Sequence, residues 1–457
     1  MSIMAHLKRN KIIGLLFAAV IVLSSILTGC SGTGPGGEKA SGSKTEDGKT
    51  IVEFWCSWGD SKKDYFDKWI NKFNESQDKI VVKATYIAGD AWDQRITAAQ
   101  AAGTGPDVMT MNYGKIAYSA DQGKIKALDE YIDATKWDDL YDWSNDMVSV
   151  NGKHYAYPFN AEPGSILLYR KDFFKEAGLD PENPPKTWDE LIEYGKKLTN
   201  DKHYGLTAAG TTADMAWSHW GMQAMMGGLA INDDWSKATV NSEGNKKLFN
   251  FWNTLYKEKI FPKQMPGLYT EIEPLVDGRT AMMFNGSFVF DALRNKYADV
   301  VDKIGVAPLP TPDGDYKKPT ATLGGWTFVV DGNSKHPKEA AQFIDYMLAG
   351  DPEVMVDFFN LSKFSSFTGR KSVDAALENN EYAKNDEWRK MIQEKVLPYA
   401  IPEPIYAWDI SLSYANALER VYLKGEDIDK SLSQAEKEIN DYIKNNNYAG
   451  TNPKMKK

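Results

Sequence analysis

Cysteine and histidine are scarce: the 457 residues hold two of the first and five of the second. So few thiols rule out a disulfide-stapled scaffold, and the scattered histidines show no zinc-ligand spacing. Basic blocks are missing too. The chain carries a formal net charge of −9, which argues against nucleic acid as a partner and against a polybasic membrane patch. No H-E-x-x-H, P-loop or G-x-S-x-G stretch occurs. Asp313-Gly314-Asp315 is too short for an EF-hand loop and reads as a turn. No internal repeat organises the chain. The residues therefore nominate no metal, no cofactor and no catalytic group. Aromatics, by contrast, are plentiful, with 14 Trp and 23 Tyr. Most belong in cores, but flat apolar faces with a polar edge also suit stacking on sugar rings, so the composition leans towards a carbohydrate ligand.

Lys8, Arg9 and Lys11 form a positive flank, and Ile12 to Leu23 an apolar run of signal-peptide length, too short to span a bilayer. Leu27-Thr28-Gly29-Cys30 closes the segment. This stretch resembles the lipobox of bacterial lipoproteins. The resemblance implies a signal peptide over 1–29, a lipid such as palmitate on Cys30, and attachment at the outer face of the cytoplasmic membrane. An uncleaved anchor and a plain secretory signal are the alternatives. Residues 30–49 then read as the lipidated cysteine followed by a flexible, Gly- and Ser-rich tether. With Cys30 so assigned, Cys56 has no disulfide partner, and its neighbours Val52, Phe54 and Trp55 make it a buried small residue.

Folded sequence begins near Thr50. Ile51–Phe54, Ile80–Tyr86 and Val108–Met111 read as strands. Tyr65, Phe66, Trp69, Ile70 and Phe73 recur at helical spacing, and Asp93–Ala102 reads as helix ended by Gly103. The alternation predicts an α/β domain with a mainly parallel sheet. More strands are expected at Tyr155–Pro158, Ser165–Tyr169, Thr280–Phe284, Gly305–Leu309 and Thr327–Val330. Thr187 and Glu190 have the spacing of a capping box. The end of the chain reads as two helices, Ile410–Leu423 and Ile428–Ile443, and a polar tail, 446–457, expected to fray.

Gly103 to Met109 (G-T-G-P-D-V-M), Tyr155 to Pro158, Leu168 to Asp172, Phe174 to Leu179, Pro184 to Leu191, Val276 to Met282 with Asn285-Gly286, Gly305 to Pro310 and Gly324-Gly325 follow one another in order. Together they make the chain resemble family 1 of the extracellular solute-binding proteins, sugar-binding lipoproteins that feed ABC importers and include the maltose- and maltodextrin-binding proteins. Arg170 stands where that family commonly has Asn, in a scaffold segment. The resemblance implies an α/β, two-lobed periplasmic-binding-protein-like fold, with a hinge crossed several times and a ligand cleft between the lobes. It places an N-terminal lobe at 48–159 plus 312–350 and a C-terminal lobe at 160–311 plus 351–445. Closure on an oligosaccharide would be a hinge motion that the ABC permease subunits sense. A monomer is expected.

A sugar site needs aromatic platforms and planar hydrogen-bonding groups. Trp58 and Asp60 follow the first strand, at the end where ligands bind in open α/β sheets, whereas Trp55 is expected to pack under the first helix. Asn112 and Tyr113 follow the third strand. Glu162 lies at the first lobe crossing, where maltose-binding relatives carry a ligand-contacting Glu; a hinge salt bridge is the alternative. Trp217, His219 and Trp220 cluster, with one of the indoles expected to stack and the remainder to pack. Asn285 and Phe288 follow a strand, Phe288 standing where those relatives have a stacking Trp. Gly324-Gly325-Trp326 would let backbone approach a ligand with Trp326 as a wall. Trp408 matches another stacking position of the relatives, with Asp409 beside it. Arg370 either reaches the cleft or lies on the surface. Other solutes (a polyol, a glycerol phosphate, a peptide) are the main alternative to a sugar. An extracellular glycoside hydrolase would need two carboxylates across the cleft, and no fragment resembles a hydrolase signature.

Overall fold

The computed structural model describes residues 44–59, 62–266 and 272–455. The signal segment, the lipidated Cys30 and Asp60 lie outside the described residues. Among the described residues, no helix is long and apolar enough to cross a membrane. Of the expected tether, residues 44–49 form a turn, with Lys44 bridging Thr50.

The strands in chain order are β1 (Thr50–Cys56), β2 (Ile80–Tyr86), β3 (Val108–Asn112), β4 (Ser149–Val150), β5 (Lys153–His154), β6 (Tyr157–Pro163), β7 (Ile166–Arg170), β8 (Tyr204–Thr207), β9 (Thr280–Asn285), β10 (Ile304–Ala307), β11 (Thr322–Val330) and β12 (Ile401–Pro402). One sheet runs β12-β11-β3-β1-β2, with β6 also on β11; a second runs β10-β7-β9-β8. The first sheet is parallel where β1 meets β2 and β3 and where β12 meets β11. Its antiparallel part is β11, which runs opposite to both β3 and β6. In the second sheet only β8 with β9 is parallel. Strand β11 re-enters the first sheet from the second lobe instead of returning through a crossover helix, so the rule that makes βαβ units parallel does not act on it.

Each sheet has its own core. Helix Lys63–Ser76 buries Tyr65, Phe66, Ile70 and Phe73, and Phe66 meets the β1 side chain Phe54 with ring centroids 5.6 Å apart. Cys56 sits in that core, and burial pushes its thiol up to about 12, leaving it a packing group. The second sheet is buried on both faces: Leu167 and Met282 point into one cluster, Leu168 and Met283 into another. Helix Trp188–Leu198 starts with the expected box: Glu190 N donates to Thr187 Oγ1 at 3.0 Å and Thr187 N to Glu190 Oε2 at 3.0 Å.

The chain passes between the two cores at 161–167, at 321–323 and at 383–387, and touches the first sheet again through β12 before returning to the second core at Tyr406. Two expectations fail here. Most of the stretch 352–383 does not join the second lobe; Val354, Met355, Phe358, Phe359, Val373 and Leu377 pack in the core of the first, because helix Pro352–Leu361 covers helix Lys63–Ser76, while Phe367 packs with the second. The tail does not fray over 446–455. Tyr448 stacks on Trp235 at 4.8 Å and 6°, Asn452 Nδ2 donates to the Asp233 carbonyl at 2.7 Å, and Pro453 is buried. Lys454 Nζ then reaches the Asp146 carbonyl at 3.0 Å, in the first lobe. One aromatic and one proline give this polar stretch enough apolar surface to dock.

Candidate functional site

Three segments meet where the lobes join: the end of β6, the start of β11, and Pro402-Glu403-Pro404 at the end of β12. Gly324 pairs with Glu162 in the β6–β11 ladder. The Glu403 carboxylate lies against the same glycine, and a Cβ at 324 would collide with its Oε1. The missing side chain is what admits the acid. Glu403 accepts a hydrogen bond from Trp217 Nε1 at 2.7 Å, and Trp217 belongs to helix Thr212–Ser218 of the second lobe. Its Oε2 and the Oδ1 of Asn112, at the end of β3 in the first, both lie against Gly114. Glu162 accepts from Asn160 Nδ2 at 3.0 Å, and Asn160 Oδ1 accepts from Trp326 N at 3.2 Å. Burial pushes the Glu162 carboxyl up to about 7, against the pull of Lys62 and with the help of nearby Glu403. Burial raises Glu403 as well.

Aromatic rings flank these acids. Trp58 lies 5.3 Å from Trp326, 5.2 Å from Phe159 and, stacked, 5.9 Å from Phe66. Both indoles stay half-buried, held by the first core. Trp217 passes so close to Gly164 that a Cβ there would sit 2.8 Å from its ring, and its centroid is 6.3 Å from Phe288. Lys62 Nζ and Asp291 Oδ2 pair at 2.9 Å between the lobes.

Glu162, Trp58, Trp217 and Trp326 are thus gathered around the hinge. Asn112 is there but occupied: Oδ1 caps helix Tyr113–Asp121 by accepting from Gly114 N at 2.8 Å, and Nδ2 donates to the Gly325 carbonyl at 3.1 Å. Tyr113 is buried and belongs to the first core. Trp220 is a packing residue: it is buried, and its Nε1 donates to Ser411 Oγ at 2.9 Å. Asn285 is buried, its Oδ1 accepting from Gly286 N at 2.8 Å to shape the turn after β9. His219 is buried with Nδ1 on the Met215 carbonyl, and burial pushes it down to about 4. Trp408 is 43% exposed, edge-on to Trp220 at 6.1 Å, with Asp409 exposed next to it. Arg370 is neither in the cleft nor on the surface: it is buried, with Nε on Asp139 Oδ2 at 2.8 Å and its guanidinium on the carbonyls of Ala349 and Gly350. Trp55 lies under Arg95 of the second helix, not under the first.

Sequence reasoning passed over Glu403, Asn160 and the Lys62–Asp291 pair. A signal for Glu403 was present: a single acid between two prolines, just ahead of Trp408. Among the described residues no group of three His, Cys, Asp or Glu side chains is placed to hold a metal ion.

Residues 59–351 match the family described as bacterial extracellular solute-binding protein. The chain belongs to that family. This solute-binding protein is 33% identical over 217 residues to a probable ABC transporter-binding protein of Deinococcus radiodurans, a match covering 44% of this chain and 48% of the relative. It is 28% identical over 286 residues to the mannitol-binding protein of Pseudomonas aeruginosa, covering 59% and 62%. The chain therefore spans less than two thirds of the length of these relatives. It shares its fold with the cyclic alpha-maltosyl-1,6-maltose binding protein of Arthrobacter globiformis at 24% identity and a TM-score of 0.71, over 87% of this chain and 100% of that one. The family is one of extracellular binding proteins.

Proposed function

We propose that this protein is a lipid-anchored receptor that captures an oligosaccharide between its lobes and delivers it to the membrane subunits of an ABC sugar importer. The observation that carries the reading is the grouping of two carboxyls, Glu162 and Glu403, with the indoles of Trp217 and Trp326 where the lobes join. Indole faces stack on the C–H faces of sugar rings, and carboxylates accept from ring hydroxyls. The fold shared with a maltosyl-maltose binder supports a glycan, and Leu27-Thr28-Gly29-Cys30 supports the anchor. Trp58, Trp408 and Asp409 are further contacts on this reading; Asp60 follows Trp58 in sequence and completes the set.

A thermal-shift screen of the mature chain tests it, with maltooligosaccharides against mannitol, glycerol phosphate and peptides. A ligand that binds only the folded state adds about 2.7 kcal/mol at a hundredfold excess over its dissociation constant. A rise with glycans alone supports the sugar receptor. A rise with mannitol alone moves the reading to a polyol receptor, which the mannitol-binding relative favours.

A further inference from the structure

Glu403 follows β12, a strand of two residues in the first sheet, and its carboxylate accepts from Trp217 of the second lobe. Gly324 leaves the space its carboxylate fills, and the nearest approach to Gly114 leaves room for Oε2. Trp217 Nε1 donates to Oε1 from the second lobe. The Trp217 ring also lies against Gly164 and near Phe288, with centroids 6.3 Å apart, and packs on the second core. The hydrogen bond at its nitrogen adds a directional contact that ring packing does not supply.

We infer that Glu403 is a positioning residue for solute binding: it fixes the plane of the Trp217 indole through the 2.7 Å Nε1–H···Oε1 bond, and Gly324 is required because it makes room for that carboxylate. The inference rests on Trp217 being a wall of the solute site. It adds that the wall is set from the hinge strand, so any movement of β12 is felt at the platform. Since β12 pairs with β11 in the first sheet, Glu403 also makes the platform's position depend on how the lobes sit.

Two readouts keep the inference separate from the solute it serves. The first needs no ligand. In protein labelled with 5-fluorotryptophan, the Trp217 resonance is the one missing from Trp217→Phe. It shifts in Glu403→Leu, shifts alike in Gly324→Ala, and returns towards its original place in Glu403→Gln, whose amide oxygen still accepts. A Trp217 resonance indifferent to Glu403→Leu overturns the inference. The second readout is affinity for maltotriose, with mannitol as the other probe. Glu403→Leu weakens binding at least tenfold, Glu403→Gln recovers most of that loss, and Trp217→Phe, which shrinks the platform and removes the donor, weakens it at least as much. Combining Trp217→Phe with Glu403→Leu costs no more than Trp217→Phe alone. Additive losses overturn the coupling. A shifted resonance with unchanged affinity for whichever probe binds shows that Trp217 is not a wall of the site, and overturns the bearing on solute. Thermal midpoints of all variants separate these outcomes from simple unfolding.

Discussion

Lys62 and Asp291 form an ion pair between the lobes, Nζ to Oδ2 at 2.9 Å, with Lys62 just ahead of helix Lys63–Ser76 and Asp291 on helix Val289–Asn295. Both side chains keep some solvent exposure, so the pair belongs with those worth about 0.2–1 kcal/mol. Replacing Lys62 by Ala should therefore widen the unliganded protein in small-angle scattering and weaken solute binding by about twofold to fivefold, with most of the effect lost in high salt. An unchanged scattering profile together with unchanged affinity would mean the pair does not resist opening.

Trp408 and Trp220 touch edge to face yet should answer differently to truncation. Trp408→Ala removes an exposed ring, so stability should hold while affinity falls by about tenfold. Trp220→Ala empties a buried, hydrogen-bonded position and should cost about 3–5 kcal/mol of stability by urea unfolding. Equal stability losses in the two variants would contradict the placement of Trp408 as a surface platform.

Glu162 gives a pH dependence of unusual sign. Its carboxyl lies at about 7 in the folded protein against an ordinary 4.5, so the native state holds a proton that the unfolded chain has released between those values. Stability from this group is therefore full below pH 4.5 and is lost as pH rises towards 7. Glu162→Gln should flatten the fall of the urea midpoint across that window. The same slope in wild type and variant would exclude Glu162 as its source.

Arg370→Ala should leave solute affinity untouched and lower stability by about 3 kcal/mol or more, because it strands Asp139 and three carbonyls of a buried network. Calorimetric titration and chemical unfolding on the same sample decide this.

Cys30→Ser should release the protein from membranes into the medium, since the acidic chain offers no basic patch to hold it there. Retention of the variant in the membrane fraction would point to an uncleaved anchor.

Much of the fold is legible in local pattern. Ile80–Tyr86 was readable to the residue because its flanks are polar, and Thr187 with Glu190 announces a helix start by chemistry that acts within one turn. Direction of strand pairing was not, since β11 owes its antiparallel setting to a chain crossing far from its own residues. The site divides in the same way. Trp217 and Glu162 could be nominated from type and position, but whether Trp220 or Trp408 faces solvent depends on Ser411 and the packing of helix Trp408–Lys424, which no spacing reveals. Arg370 was misjudged because a lone arginine carries no mark of its partner, and Asp139 lies 231 positions away.

The docked tail makes the C terminus a gauge. Residues 448–452 are moored to one lobe through Trp235 and the Asp233 carbonyl, while Lys454 rests on Asp146 of the other. A dye at position 454 and a second at 146 would report any movement of one lobe against the other as a change of distance, read on single molecules.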